Sequence, residues 1–212
     1  MVTATPEHVT IGVDGVGLQR LNGGETYYPL CKALQTAGTL YVAAGLMPTG
    51  IKKDVLNIKS PKDVIAVNRA NEAIRIKLQA QLRSVRNDNP AKYSEMTKRK
   101  ISVLTMYAAW ITDGIVSFRI TNFEQSPNNT ISIHPNMVTG NQLLCLCPRG
   151  ATPAVPPHWV IANHVELVKS ALGALLPRAS PVTVISITAQ KIDWSQYGNC
   201  EADGSNSWEQ PQ

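Results

Sequence analysis

Few residues in this chain combine a reactive type with a suggestive setting, and Lys32 heads them. It is a lone lysine between an apolar stub, Pro29-Leu30-Cys31, and the alternating segment Thr39-Leu40-Tyr41-Val42-Ala43-Ala44. That segment is rich in β-formers and stops at Gly45, so it reads as a buried strand, with a short turn at Thr36-Ala37-Gly38 before it. Taken alone, a lysine so placed is most often a solvated charge at a strand end. Other constellations are weaker. Alternation puts both sulfurs of Cys145-Leu146-Cys147 on one sheet face, but no further ligands follow at finger-like spacing, so buried thiols fit better than a metal site. His158 and His164 lie six apart on one expected helix and face different directions. No G-x-S-x-G elbow occurs, and Gly12, Gly15 and Gly17 fall in an expected hairpin rather than before a helix. Neither cofactor nor metal is expected.

The elements that must position Lys32 begin with Val9 to Val13, β-branched and weakly alternating. Asp14-Gly15 is a strong two-residue turn signal, and Val16 to Leu21 is expected to return as the partner strand. Asn22-Gly23-Gly24 then turns the chain toward Tyr27, so the first 46 residues predict four short antiparallel strands and no helix. After Leu46 comes a loop, basic at Lys52 and Lys53. Ser60 is placed to cap a first long helix, with Pro61 at its first position. Val67, Ile74, Leu78, Leu82 and Val85 make one apolar face of it, and Asn87-Asp88-Asn89-Pro90 ends it.

A second β block follows. Ile101 to Trp110 reads as a strand covered on both faces, Asp113-Gly114 turns it, and Ile115 to Phe123 pairs back. Thr130 to His134 and Asn141 to Cys147 are further strands. A second long helix is expected from Pro157 to Leu176, its stripe running Ile161, Val165, Val168, Leu172, Leu175. Val182 to Thr188 is a last strand leading to Ile192-Asp193-Trp194. Residues 1–194 thus read as one domain, and 195–212 as a polar, loosely ordered tail.

Composition bounds the function. A length of 212 residues suits one substantial core, and a charged fraction of 17% leaves surface for burial against other subunits. The net charge of +5 would permit nucleic-acid binding, but the basic residues do not cluster with aromatics, and there are only two Phe, so none is expected. No signal peptide is visible at Met1 to His8 and no apolar run approaches membrane-spanning length. The compartment is left open: cytoplasmic, or exported with a leader removed.

The order of strands, long helix, strands, long helix and strand suits a plain α+β domain. It also suits a more specific pattern. Cys31-Lys32-Ala33-Leu34, Gly38 and Val42-Ala43-Ala44-Gly45-Leu46 match, in order and spacing, the lysine strand and closing "A-G-L" strand of proteasome β-subunits and related N-terminal-nucleophile hydrolases. With the later elements, the chain resembles that family over roughly residues 8 to 194. The resemblance implies an α+β fold, a four-layer α-β-β-α sandwich of antiparallel sheets, and a homo- or hetero-oligomer acting on a peptide or amide substrate.

It also implies a chemistry. In the family the first residue of the mature chain, usually threonine, attacks the carbonyl while its own α-amine takes the proton. A lysine, matched here by Lys32, stabilises the developing alkoxide. The nucleophile is less well matched. The chain opens Met1-Val2-Thr3-Ala4-Thr5-Pro6, so Thr3 or Thr5 would serve only after further cleavage, and Pro6 constrains the strand after Thr5. Thr10 lies too close to Asp14-Gly15 for a first strand of family length. The family's aspartate in an "A-D-S-R"-like run is also missing, for Gly17-Leu18-Gln19-Arg20 stands there. Lys32 is therefore expected to lack its carboxylate partner, and activity to be impaired or absent.

Overall fold

The computed structural model describes residues 2–4, 8–21, 24–36, 38–88, 90–97, 101–126, 130–138, 144–146 and 181–208. Two compact units divide the chain. The first comprises Met1–Leu40, Ala109–Phe118 and Val138–Gln212, and the second Tyr41–Ala108 and Arg119–Met137.

The first unit carries the strands β1 (Val2–Ala4), β2 (His8–Asp14), β3 (Val16–Leu21), β4 (Gly24–Pro29), β5 (Ala33–Thr36), β10 (Leu144–Leu146), β11 (Val182–Thr188) and β12 (Ile192–Gln196). Five of them make an antiparallel sheet in the order β10-β1-β2-β11-β12. Val2, Val9, Ile11, Val13, Ile185 and Ile187 are buried, and the pairings Val2↔Ile11, Ile185↔Ile11 and Ile187↔Val9 set them on one face. Thr10 pairs with both Thr3 and Ser186, which puts a row of hydroxyl residues on the opposite face.

β3 and β4 form a separate two-stranded sheet, with Gly17 opposite Tyr28. This differs from the expected β2–β3 hairpin. A strand has two hydrogen-bonding edges, and those of β2 are taken by β1 and β11. Asp14-Gly15 therefore passes the chain from one sheet to another instead of folding it back.

The second unit holds α1 (Ile51–Leu56), α2 (Val64–Asp88), α3 (Pro90–Thr97) and β9 (Ile131–Val138, ending in the first unit). The strands β6 (Thr39–Gly45), β7 (Ile101–Thr112) and β8 (Ile115–Gln125) contribute residues to both units, within a sheet ordered β5-β6-β7-β8-β9. Asp113 and Gly114, both at positive φ, make the tight β7–β8 turn that the sequence predicts.

α2 buries Val67, Ile74, Leu78 and Leu82 of the expected apolar stripe, with Ala70 beside them, while Val85 is half-buried. Its cap is Asp63 rather than Ser60: Asp63 Oδ1 accepts from Ala66 N at 3.0 Å, whereas Ser60 Oγ accepts only from Lys62 N. α1 stands where the sequence predicts a loop. Gly50 opens it in the left-handed conformation, and Ile51 and Val55 anchor it.

The expected four-layer α-β-β-α sandwich is corrected by this architecture, which is mostly antiparallel β-structure. Among the described residues, every helix falls between 51 and 97, in immediate succession. The β3–β4 pair makes a sheet of its own because β2 has no free edge for it. The expected helix from Pro157 to Leu176 lies outside the described residues.

Gly45 ends β6 at a φ of 117°, a conformation L side chains avoid, and a Cβ there would overlap the Val103 carbonyl oxygen. The same carbonyl accepts from Leu46 N at 2.7 Å, so it has little freedom to retreat. Gly45→Ala is expected to cost roughly 1–3 kcal/mol in urea denaturation. An alanine variant as stable as the parent would refute this account of the turn.

Candidate functional site

Lys32 sits in a one-residue gap between Cys31, which makes an isolated parallel bridge with Ser207, and the start of β5. Its Nζ donates to Asp14 Oδ1 at 2.5 Å, and the two side chains are only 14% and 23% exposed. The ammonium thus has a carboxylate partner after all, supplied by the last residue of β2. Sequence reasoning used Asp14 only as a turn former. Its Oδ1 does also accept from Val16 N at 3.2 Å, the local bond that short acidic residues make at turns.

Backbone bonds tie the surroundings of this pair together. Gly15 N donates to Pro181 O at 2.8 Å, and Gly15 O accepts from Leu30 N at 2.9 Å. Asn199 Nδ2 donates to the same oxygen. On the other side, Trp208 N donates to Cys31 O at 2.8 Å, and Cys31 is joined to Cys200 by a disulfide that spans 169 residues. The sequence reading assigned buried thiols to Cys145 and Cys147 and expected no disulfide at Cys31 or Cys200, since nothing local in the chain signals a partner so distant. A crosslink of this span stabilises a fold by about 2–5 kcal/mol.

The segment after β12, expected to be loosely ordered, is well tied as far as residue 208. Thr183 Oγ1 donates to Tyr197 O at 2.6 Å, Asn206 Nδ2 to Asn199 O at 2.8 Å, and Glu201 N to Asn206 Oδ1 at 3.0 Å. Trp208 is 5% exposed.

The candidate hydroxyls are placed by register. Thr3 lies in β1 opposite Thr10, four residues along β2 from Asp14, a distance of about 13 Å at strand rise. Thr10 is buried, and its Oγ1 has no hydrogen-bond partner among the described residues. Thr5 lies outside the described residues. Arg20, in the run where the family aspartate was sought, pairs through its backbone with Glu25 on β4.

Two concavities lie elsewhere. In the second unit a cavity of about 20 Å³ between Tyr41, Asn71, Arg119 and Thr121 has room for one water. Burial pulls the Arg119 guanidinium below its ordinary value, opposed electrostatically by Tyr41, and Arg119 Nη2 donates to Pro61 O at 3.0 Å. In the first unit an open cleft of about 560 Å³ is lined by Gln35, Asp193, Trp194, Tyr197, Glu201 and Asp203. There the Trp194 and Tyr197 rings stack at 5.2 Å, and Trp194 Nε1 donates to Gln35 Oε1 at 2.6 Å. No group of three or more metal-binding side chains occurs among the described residues, and no described helix is long and apolar enough to cross a membrane.

No family model matches the sequence, and no curated protein matches it. Among solved structures the chain is similar to Anbu from Hyphomicrobium sp. strain MC1, at 9% identity and a TM-score of 0.42, over 96% of this chain and 88% of that chain. The functional reading therefore stands on the site's own geometry.

The ion pair is partly shielded from water and close, so its members should be energetically coupled. A double-mutant cycle with Asp14→Asn and Lys32→Met is expected to give a coupling of roughly 1 kcal/mol. Additive losses in denaturant titrations would mean that the two side chains do not interact in solution.

Proposed function

We propose that this chain is a proteasome-like member of the N-terminal-nucleophile hydrolases that keeps the activating cation, while its peptidase or amidohydrolase activity is impaired or absent. The Lys32–Asp14 pair carries this reading. An ammonium held by a carboxylate at the end of a strand is suited to stabilising an alkoxide. The carboxylate comes from β2, not from the run at Gly17 to Arg20, so the pairing is kept by a different residue.

The loss of activity follows from register. Thr3 stands four residues along the ladder from Asp14, well beyond the roughly 3 Å contact that activation of a hydroxyl requires. Cleavage before Thr3 would free its amine without moving it toward Lys32. The disulfide favours an oxidising compartment, the exported alternative of the two left open by the sequence.

Peptide hydrolysis by the purified full chain, with intact mass and N-terminal sequencing on the same sample, tests this. The expected result is a start that is not threonine and no turnover above that of Lys32→Met. A chain found to begin at Thr3 or Thr5, with turnover that Lys32→Met abolishes, would establish instead an active threonine-type hydrolase.

One observation favours a second reading, assembly without catalysis. On α2, Ile65 and Ile76 are 72% and 55% exposed, and eleven residues is close to three helical turns, so both lie on one face. Val64 and Leu56 are exposed nearby in the chain. With Arg69 and Glu72 between them on that face, the two isoleucines suit a mixed apolar and charged interface with a second subunit. The double substitution Ile65→Lys with Ile76→Lys is expected to shift sedimentation toward the monomer. A parent chain that is already monomeric at every concentration would end this reading.

A further inference from the structure

We infer that residues 197–208 act as a positioning clamp on the Lys32 ammonium, with Asn199 and the Cys31–Cys200 disulfide as its two fixing points. The inference rests on the reading of Lys32 as the activating cation. It concerns a part of the chain that this reading does not use.

The two members of the ion pair lie 18 residues apart, Asp14 at the end of β2 and Lys32 just before β5, and each has a chain neighbour held by the clamp. Gly15, next to Asp14, receives Asn199 Nδ2 on its carbonyl oxygen. Cys31, next to Lys32, is bonded to Cys200 and receives Trp208 N on its carbonyl oxygen. Asn199 and Cys200 are adjacent, so one dipeptide grips the chain beside the carboxylate and beside the cation at once. The fit at Gly15 is close: a Cβ there would stand 2.7 Å from Asn199 Nδ2 and 2.8 Å from Pro181 O. The clamp is itself braced by Asn206, which donates to Asn199 O at 2.8 Å.

A lysine ammonium on four rotatable bonds holds no fixed position unless its backbone and its partner are both fixed. Without the clamp, the two neighbourhoods are still joined by the Leu30 N to Gly15 O bond and by the β3–β4 ladder, which sets Val16 opposite Pro29, but neither holds Cys31 or Lys32 itself. The same arrangement makes Lys32 sensitive to redox state. A dithiol that reduces the crosslink transfers two electrons and two protons to the sulfurs. The Cys31–Cys200 bond breaks, two thiols form, and the dithiol leaves as its own cyclic disulfide.

The test reads the amine itself rather than turnover. The full chain is labelled at fixed pH with a trace of acetic anhydride, and acetylation of Lys32 is measured by peptide mass spectrometry against exposed Lys62. Asp14→Asn serves as the positive control for a loosened pair. Asn199→Ala, Cys200→Ser and dithiothreitol treatment are each expected to raise Lys32 labelling roughly fivefold, the factor expected on losing one partly exposed ion pair. Should Cys200→Ser fail to fold, Asn199→Ala retains the crosslink and carries the test. Labelling in folded Asn199→Ala equal to that of the parent, while Asp14→Asn raises it, overturns the clamp. Because hydrolysis is not the readout, the clamp can stand when the hydrolase reading falls. It can also fall while Lys32→Met still abolishes turnover.

Discussion

The structure around the site depends on the occupancy of β2, whose two hydrogen-bonding edges are filled by β1 and β11. With no edge left, the chain leaving β2 must enter another sheet, and Asp14 becomes the point of departure. The Gly15 bond to Pro181 O holds this departure against the residue that precedes β11. A carboxylate at the exit of a fully paired strand keeps its oxygens available to something outside the ladder. Lys32 meets it there.

Much of the element list was legible in the sequence. β-branched runs gave β2, β7, β8 and β11, and apolar residues recurring at three-to-seven-residue steps gave α2. Asp113-Gly114 marked the β7–β8 turn because both of its residues tolerate positive φ. The failures share a cause, which is that pairing is decided by competition among distant strands. Asp14-Gly15 carries the same dipeptide signal as Asp113-Gly114, but β11, some 170 residues on, outcompetes β3 for the edge of β2. The α1 helix escaped notice because six residues offer too little periodicity, and its start is a glycine without a side-chain cap. The layered architecture was inferred from the order of strands and helices and from the family resemblance, neither of which says how many sheets the strands form.

The site was legible only in half. Lys32 stood out by its isolation among apolar residues. Its partner did not, because a motif search looks for an aspartate within a local run, whereas an ion pair requires only proximity in space. The crosslink was hidden for the same reason, as four cysteines at unrelated spacings do not reveal which two are neighbours. The threonines illustrate the converse. Their types suit the chemistry, but strand register fixes Thr3 level with Thr10, and no choice of rotamer moves a residue along a ladder.

The covalent link between Cys31 and Cys200 joins the early part of the chain to the late part and encloses the whole of the second unit. A protease cutting once anywhere inside that ring opens it without releasing a fragment. The nicked molecule would keep its mass under non-reducing conditions and separate into pieces only when a thiol is added.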